Sequence, residues 1–341
     1  KHGKPGRAVR PQSITIDIHS HVAVPAAAEF VKPHFDPMKN AMVLHATPET
    51  RALNQMQEAD IRPRITGYDL RLKDLDAMGI DFQLVMPPPP QCYYTVPVDI
   101  AVQAARIVND GIAEYVAGKP DRFAGLGSAP MPDGEEAAKE LERCVKTLKL
   151  KGVQILTNVN GKELSDPAFA PFWKKAEELQ ALVVLHPLGF SEAKRLARFS
   201  FNNTIGNPLD TTIALHYLIF DGVLERHPNL KILSVHGGGY LAAYSGRIDH
   251  AWGARSDAHG DLPHPPTSYL KKIYFDSVVF TPYQLAELVR LYGADRIIMG
   301  TDYPFDMADY DPIGHVAGVD GFDASTIAAI AGGNAKRLLG L

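Results

Sequence analysis

Apolar and polar positions along this chain follow two alternating periods. Short aliphatic or β-branched runs of four or five residues recur between longer segments in which apolar residues return every three or four positions. The short runs read as strands and the longer segments as amphipathic helices. Strands are predicted over 14–18, 82–86, 123–127, 152–156, 181–185, 231–235, 273–277 and 296–299. Helices are predicted over 69–78, 98–116, 134–148, 167–179, 211–224, 240–252, 282–292 and 324–339.

Eight strands, each followed by a helix, match the count of a (β/α)8 TIM barrel. An open doubly wound sheet is the alternative, but no Gly-x-Gly-x-x-Gly turn follows the first strand. The residues with metal-type or acid–base side chains follow strands one, five, six and eight, whose ends meet only when the sheet closes. The expectation is therefore an α/β fold with one barrel domain over 13–341. Residues 22–67, broken by Pro25, Pro33, Pro37, Pro48 and Pro63, are expected as an inserted loop segment over the active-site mouth. Residues 1–12 are expected as a flexible N-terminal tail.

Composition narrows the class. The chain has 341 residues, 45% of them hydrophobic, enough for one large core, and a net charge of -4 gives no footprint for nucleic acid. No apolar run has the length of a membrane span, and the basic start lacks the apolar stretch of a secretory signal. Cys92 and Cys144 are too few for a disulfide framework, which suits a reducing cytoplasm.

The chemistry sits at strand ends. The run Ile14-Thr15-Ile16-Asp17-Ile18-His19-Ser20-His21 ends in two histidines that alternation turns to one face. His186-Pro187 closes the fifth strand, His236-Gly237-Gly238-Gly239 the sixth, and Gly300-Thr301-Asp302 the eighth. Imidazole and carboxylate donors suit zinc. Any one of these histidines alone reads as a hydrogen-bonded strand end, and that reading holds for His216 and His227; four histidines and Asp302 at one barrel mouth read as a metal site.

These stretches, together with Gly246-Arg247-Ile248-Asp249-His250-Ala251-Trp252 and the continuation Tyr303-Pro304-Phe305, resemble the amidohydrolase superfamily. Within it they are similar to the group typified by 2-amino-3-carboxymuconate 6-semialdehyde decarboxylase. The resemblance implies that His19, His21, His186 and Asp302 are the metal ligands, that the metal is zinc with manganese as the alternative, and that His236 is the acid/base beside a metal-bound water. The family's dinuclear members carry a lysine at the end of strand four; this chain has Thr157-Asn158 there, so one metal per chain is implied. The resemblance also implies that Arg62 receives a substrate carboxylate, that Arg247 reaches the neighbouring subunit's site in a homodimer, and that Phe305 packs on a flat substrate. Salt bridges for the arginines and a core position for Phe305 are the competing readings. Asp276 reads foremost as a structural hydrogen-bonding residue, and Trp252 as core or interface.

Resorcylate and carboxyvanillate decarboxylases resemble the chain too, but they usually begin with Glu-x-His, whereas His-x-His favours the semialdehyde-type branch. Leu188 stands where that branch has tryptophan, which leaves the substrate open. The leading expectation is a carboxy-lyase acting without oxygen on an unsaturated or aromatic acid. A hydrolase or hydratase of a ring-cleavage product or lactone is the alternative, and a non-catalytic metal-bearing barrel ranks last. Small carboxylic acids are the expected partners, with no nucleic acid or membrane.

Overall fold

The structure, a computed structural model, describes residues 6–341. Its centre is a ring of parallel strands: β1 (Ile16–His21), β2 (Phe82–Met86), β3 in two pieces (Phe123–Gly125 and Gly127–Ser128), β4 (Gly152–Leu156), β5 (Leu182–His186), β6 (Lys231–Ser234), β7 (Tyr274–Asp276) and β8 (Ile297–Ile298). The first piece of β3 pairs with β2 and the second with β4, so β3 joins the two halves of the ring. Closure comes from β1 against the end of β8. The Ile18 N–H donates to the Met299 carbonyl (2.9 Å), the Asp302 N–H to the His19 carbonyl (2.8 Å), and Ser20 bridges Tyr303 in parallel. The expected barrel is the observed fold.

Two buried clusters follow from strand alternation. One takes Ile16 and Ile18, Leu84 and Met86, Leu182 and Val184, Leu233 and Ile298, and fills the barrel. The larger lies between the strands and the surrounding helices and includes Val153, Ile155, Val183 and Leu185. The second set occupies the alternate positions of the same strands, so both faces of the sheet are apolar, as a parallel sheet wrapped by helices requires.

Residues 22–67 are more ordered than the loop read from the sequence. They carry short helices at Pro25–Val31 and Ala41–Leu44 and a long one at Pro48–Thr66. Thr47 caps the long helix by accepting the Thr50 N–H, and Pro48 sits at its first turn. Only Ile65 of its 19 residues is buried, so it shows no apolar period to read. Of the expected tail, residues 1–5 lie outside the described residues. Residues 6–12 rest on the barrel instead of extending from it: Gly6–Val9 is helical, the Gly6 N–H donates to Asp311 Oδ1 at 2.6 Å, and Arg10 pairs with Asp81.

Candidate metal centre

His19 and His21 come from β1, His186 from the last position of β5, and Asp302 from just past β8. A register shift against β2 between Asp17 and Ser20 interrupts the β1 ladder. Asp17 instead bonds Gln83 and Thr301, while both histidines turn toward the mouth. One donor atom from each of the four residues falls within 4.8 Å of the others, and all four residues are buried. The Nε2 atoms of His19 and His21 are 3.2 Å apart, and Asp302 Oδ1 lies 3.1 Å from His21 Nε2 and 3.3 Å from His19 Nε2.

The opposite ring nitrogens fix the tautomers. His19 Nδ1 faces Asp276 Oδ2 at 2.7 Å, His21 Nδ1 the Pro87 carbonyl at 3.1 Å, and His186 Nδ1 the Pro187 carbonyl at 2.7 Å. Carbonyls and carboxylates only accept, so each Nδ1 carries the proton. Three Nε2 lone pairs and a carboxylate therefore converge with no donor among them, and His186 Nε2 has no hydrogen-bond partner. Lone pairs this close repel unless a cation sits between them. Two nitrogens on a tetrahedral ion with bonds of about 2.0–2.1 Å are about 3.3 Å apart, close to the spacing seen here. The residues fit a divalent metal.

The electrostatics agree for His186, His21 and Asp302. Burial and the neighbouring imidazoles of His21, His19 and His236 hold His186 well below the ordinary histidine value. Burial likewise lowers His21. Burial would raise Asp302, but the surrounding histidines outweigh it and hold the carboxyl well below its usual range. His19 goes the other way: burial opposes its charge, but Asp302, Asp276 and Asp17 together raise it.

His236 stands beside the cluster with Nε2 3.5 Å from Asp302 Oδ2, and its ring centroid lies 5.3 Å from that of His19 and 5.2 Å from that of His186. It is half-buried, so one side faces the mouth. Its backbone has φ 53° and Asp302 has φ 64°, left-handed values that non-glycine residues rarely take and that cluster at functional sites. Gly237, Gly238 and Gly239 continue at positive φ, and the Gly237 N–H is anchored on Asp276 Oδ1 at 2.9 Å. Gly300 leaves room for the ligand side chains, since a Cβ there would meet the Cβ atoms of His19 at 3.0 Å and Asp276 at 3.2 Å. The Phe305 ring lies 5.0 Å from that of His21.

The amidohydrolase family profile matches residues 16–341. The 2-amino-3-carboxymuconate-6-semialdehyde decarboxylase of Dictyostelium discoideum is 37% identical over 274 residues, covering 80% of this chain and 76% of that protein. The gamma-resorcylate decarboxylase of Rhizobium radiobacter is 30% identical over 302 residues, covering 80% of this chain and 87% of that one. The chain belongs to the amidohydrolase family. Its fold matches the solved structure of a dihydroxybenzoic acid decarboxylase from Polaromonas with bound manganese and the inhibitor 2-nitroresorcinol, with a TM-score of 0.81 at 24% identity over 97% of this chain and 98% of that one.

Not every candidate meets at this amidohydrolase centre. Arg62 is exposed on the helix Pro48–Thr66, and no hydrogen bond or ion pair joins it to the cluster. The same helix turns Ile65 inward and sets Arg64 onto Asp74 (2.8 Å). Arg247 is likewise exposed, near the start of the helix Gly246–Ala254. Trp252 is half-buried and stacks on His259. Asp276, read foremost as a structural hydrogen-bonding residue, bonds His19 directly.

A buried guanidinium also escaped the sequence reading. Arg71, fully buried, donates to the His21 carbonyl and to Gln83 Oε1 (2.7 Å) and lies over the Tyr303 ring. Gln83 in turn donates to Asp17 Oδ2 (2.7 Å), which also takes the Thr301 hydroxyl (2.6 Å). Its position within an ordinary amphipathic helix gave no signal, because a buried arginine and a surface arginine look alike in sequence.

Proposed function

We propose that this protein is a metal-dependent, non-oxidative decarboxylase of an unsaturated or aromatic carboxylic acid. The observation that carries the reading is a converging set of three imidazoles and one carboxylate with a separate histidine, His236, standing beside it. The relatives at 37% and 30% identity are both named decarboxylases, which supports carbon–carbon cleavage over hydrolysis. The first of them agrees with the branch that His19-Ser20-His21 favours.

His19, His21, His186 and Asp302 would hold one ion per chain. Three imidazoles and one carboxylate suit zinc better than manganese, which prefers oxygen donors; the manganese of the Polaromonas structure makes that metal the alternative. A divalent ion held there supplies Lewis acidity, polarising substrate oxygens and lowering the pKa of bound water. Asp276, Pro87 and Pro187 keep the three imidazoles in the donating tautomer. His236, from the opposite side of Asp302, delivers a proton to the carbon that bears the carboxylate. The bond to the carboxylate then breaks, its electron pair returns to the ring or chain, and carbon dioxide leaves with no oxidant consumed. Phe305 offers a flat face beside His21 for a planar substrate.

Arg247, exposed on its own subunit, would complete the site of a second subunit in a homodimer by pairing with a substrate carboxylate. The two cysteines are buried and unpaired, in keeping with the cytoplasm. The test is incubation without oxygen with carboxyl-labelled muconate semialdehydes and hydroxybenzoates. Labelled carbon dioxide, lost with a chelator and restored with zinc, is the expected result. Incorporation of solvent oxygen into product with no carbon dioxide would move the protein to the hydrolases.

A further inference from the structure

Beside the ligand cluster, on the β4–β5 side of the mouth, a cavity of about 230 Å³ opens. None of the four ligands lines it, but it begins next to them. Leu156 is the ladder partner of His186, Leu188 is two residues beyond it, and the Thr157 N–H donates to the His186 carbonyl at 3.2 Å. Phe35, Tyr93 and Pro90 give it flat, apolar walls.

Most polar groups on this wall are already used. Asn158 Oδ1 accepts the Gly161 N–H (2.7 Å), Asn160 Nδ2 donates to the Tyr94 carbonyl (2.5 Å), and Asn40 Oδ1 accepts the Met42 N–H (2.9 Å). Asp210 is the exception. It is 8% exposed, and its Oδ2 accepts the Thr157 hydroxyl at 2.5 Å, while Oδ1 has no partner and the residue lines the cavity. Among the described residues no arginine or lysine pairs with it. Burial and then the like charge of Glu192 disfavour the ionised form of Asp210, and burial followed by Asp210, Asp221 and Glu192 does the same to Glu163. Lys39, the one cation on the lining, is exposed at its rim.

The second carboxylate oxygen of Asp210 is open to the cavity and can accept a hydrogen bond from a donor that enters it. We propose that this cavity receives the end of the substrate remote from the departing carboxylate, and that Asp210 accepts a hydrogen bond from an O–H or N–H carried there. Asp210 is thus a specificity-determining residue, and the substrate class narrows to planar acids bearing a hydroxyl or amino group on the far side. The proposal rests on the decarboxylase reading for the orientation of the substrate. Thr157 holds Asp210 through its other oxygen at the cavity wall.

The test is calorimetric binding to the zinc-loaded protein with matched probes: 2,4-dihydroxybenzoate and 4-aminosalicylate against 4-methoxysalicylate, which lacks the distal donor. The two donors separate a hydroxyl preference from an amino one. A site built around a hydrogen bond rejects a ligand that cannot make it, so the donors are expected to bind at least about tenfold tighter than the ether. In Asp210→Leu that preference should fall below about twofold, and Thr157→Val, which leaves the carboxyl in place but unheld, should reduce it partway. Circular dichroism and zinc content establish that each variant is folded and loaded. Equal binding of donors and ether, or a preference that survives Asp210→Leu, overturns the assignment while leaving the decarboxylase reading intact. If none of these probes binds the unaltered protein, the assignment fails, and the decarboxylase reading is decided separately by carbon dioxide release from the unsaturated acids.

Discussion

The Asp276 carboxylate binds His19 Nδ1 at 2.7 Å through Oδ2, while its Oδ1 accepts the N–H groups of Gly237 (2.9 Å) and Val278 (3.2 Å). One side chain therefore orients a candidate metal ligand and anchors the loop that carries His236. Replacing the carboxylate by an amide weakens the acceptor that keeps Nε2 basic. Asp276→Asn should lower zinc affinity about 10–100-fold with little change in secondary structure. Competition with a chromophoric chelator reads this directly, and an unchanged affinity would show that the 2.7 Å contact does not tune the metal.

His236 lies near the cluster but outside the four converging donors, so metal binding and turnover should separate. His236→Ala should keep its zinc and lose about 10²–10⁴-fold in kcat. His186→Ala removes the Nε2 that has no other partner and should lose zinc first. A His236→Ala protein that turns over normally would remove it from the chemistry.

The barrel and the convergence of His19, His21, His186 and Asp302 were legible because their signals are local. Strand runs ending in His21, His186 and Asp302 show their period within five residues, and a closed ring brings their ends together. What could not be read depends on contacts distant in sequence. Asp276 and His19 are 257 residues apart, and a lone aspartate in a strand carries no mark of its partner. The helix Pro48–Thr66 buries too little to show a period, although Thr47-Pro48 was an available start signal. The pair Arg62-Pro63 carries no mark of the exposure that Arg62 has on its helix.

Arg247 is exposed on the helix that follows the His236 loop. If it serves a neighbouring site, Arg247→Ala should lose most activity while its melting temperature and zinc content stay unchanged. Mixed with His236→Ala under conditions that exchange subunits, it should regain activity, because one site of each hybrid dimer then has both residues intact. Hybrids that form and stay inactive would exclude a shared site.

Burial raises the Asp210 carboxyl to about 6. The folded state then holds this proton more tightly than the unfolded chain, so its contribution to stability falls as pH rises from about 4 to about 6 and is level above that. Asp210→Asn should therefore match the unaltered protein near pH 4 and exceed it at pH 7.5, by at most about 3 kcal/mol. Urea unfolding of the two proteins at both pH values gives the difference. A variant less stable at pH 7.5 would mean that the ionised carboxyl supports the fold.

One ion held by His19, His21, His186 and Asp302 is expected to drive the loss of carbon dioxide. The most direct measurement titrates zinc into chelator-treated protein and follows carbon dioxide release from the best acid of the panel. Activity should rise linearly and level off at one zinc per chain, with His186→Ala showing no such break. Carbon dioxide release that persists without metal, or a protein that saturates with zinc and releases none from any acid, would contradict it.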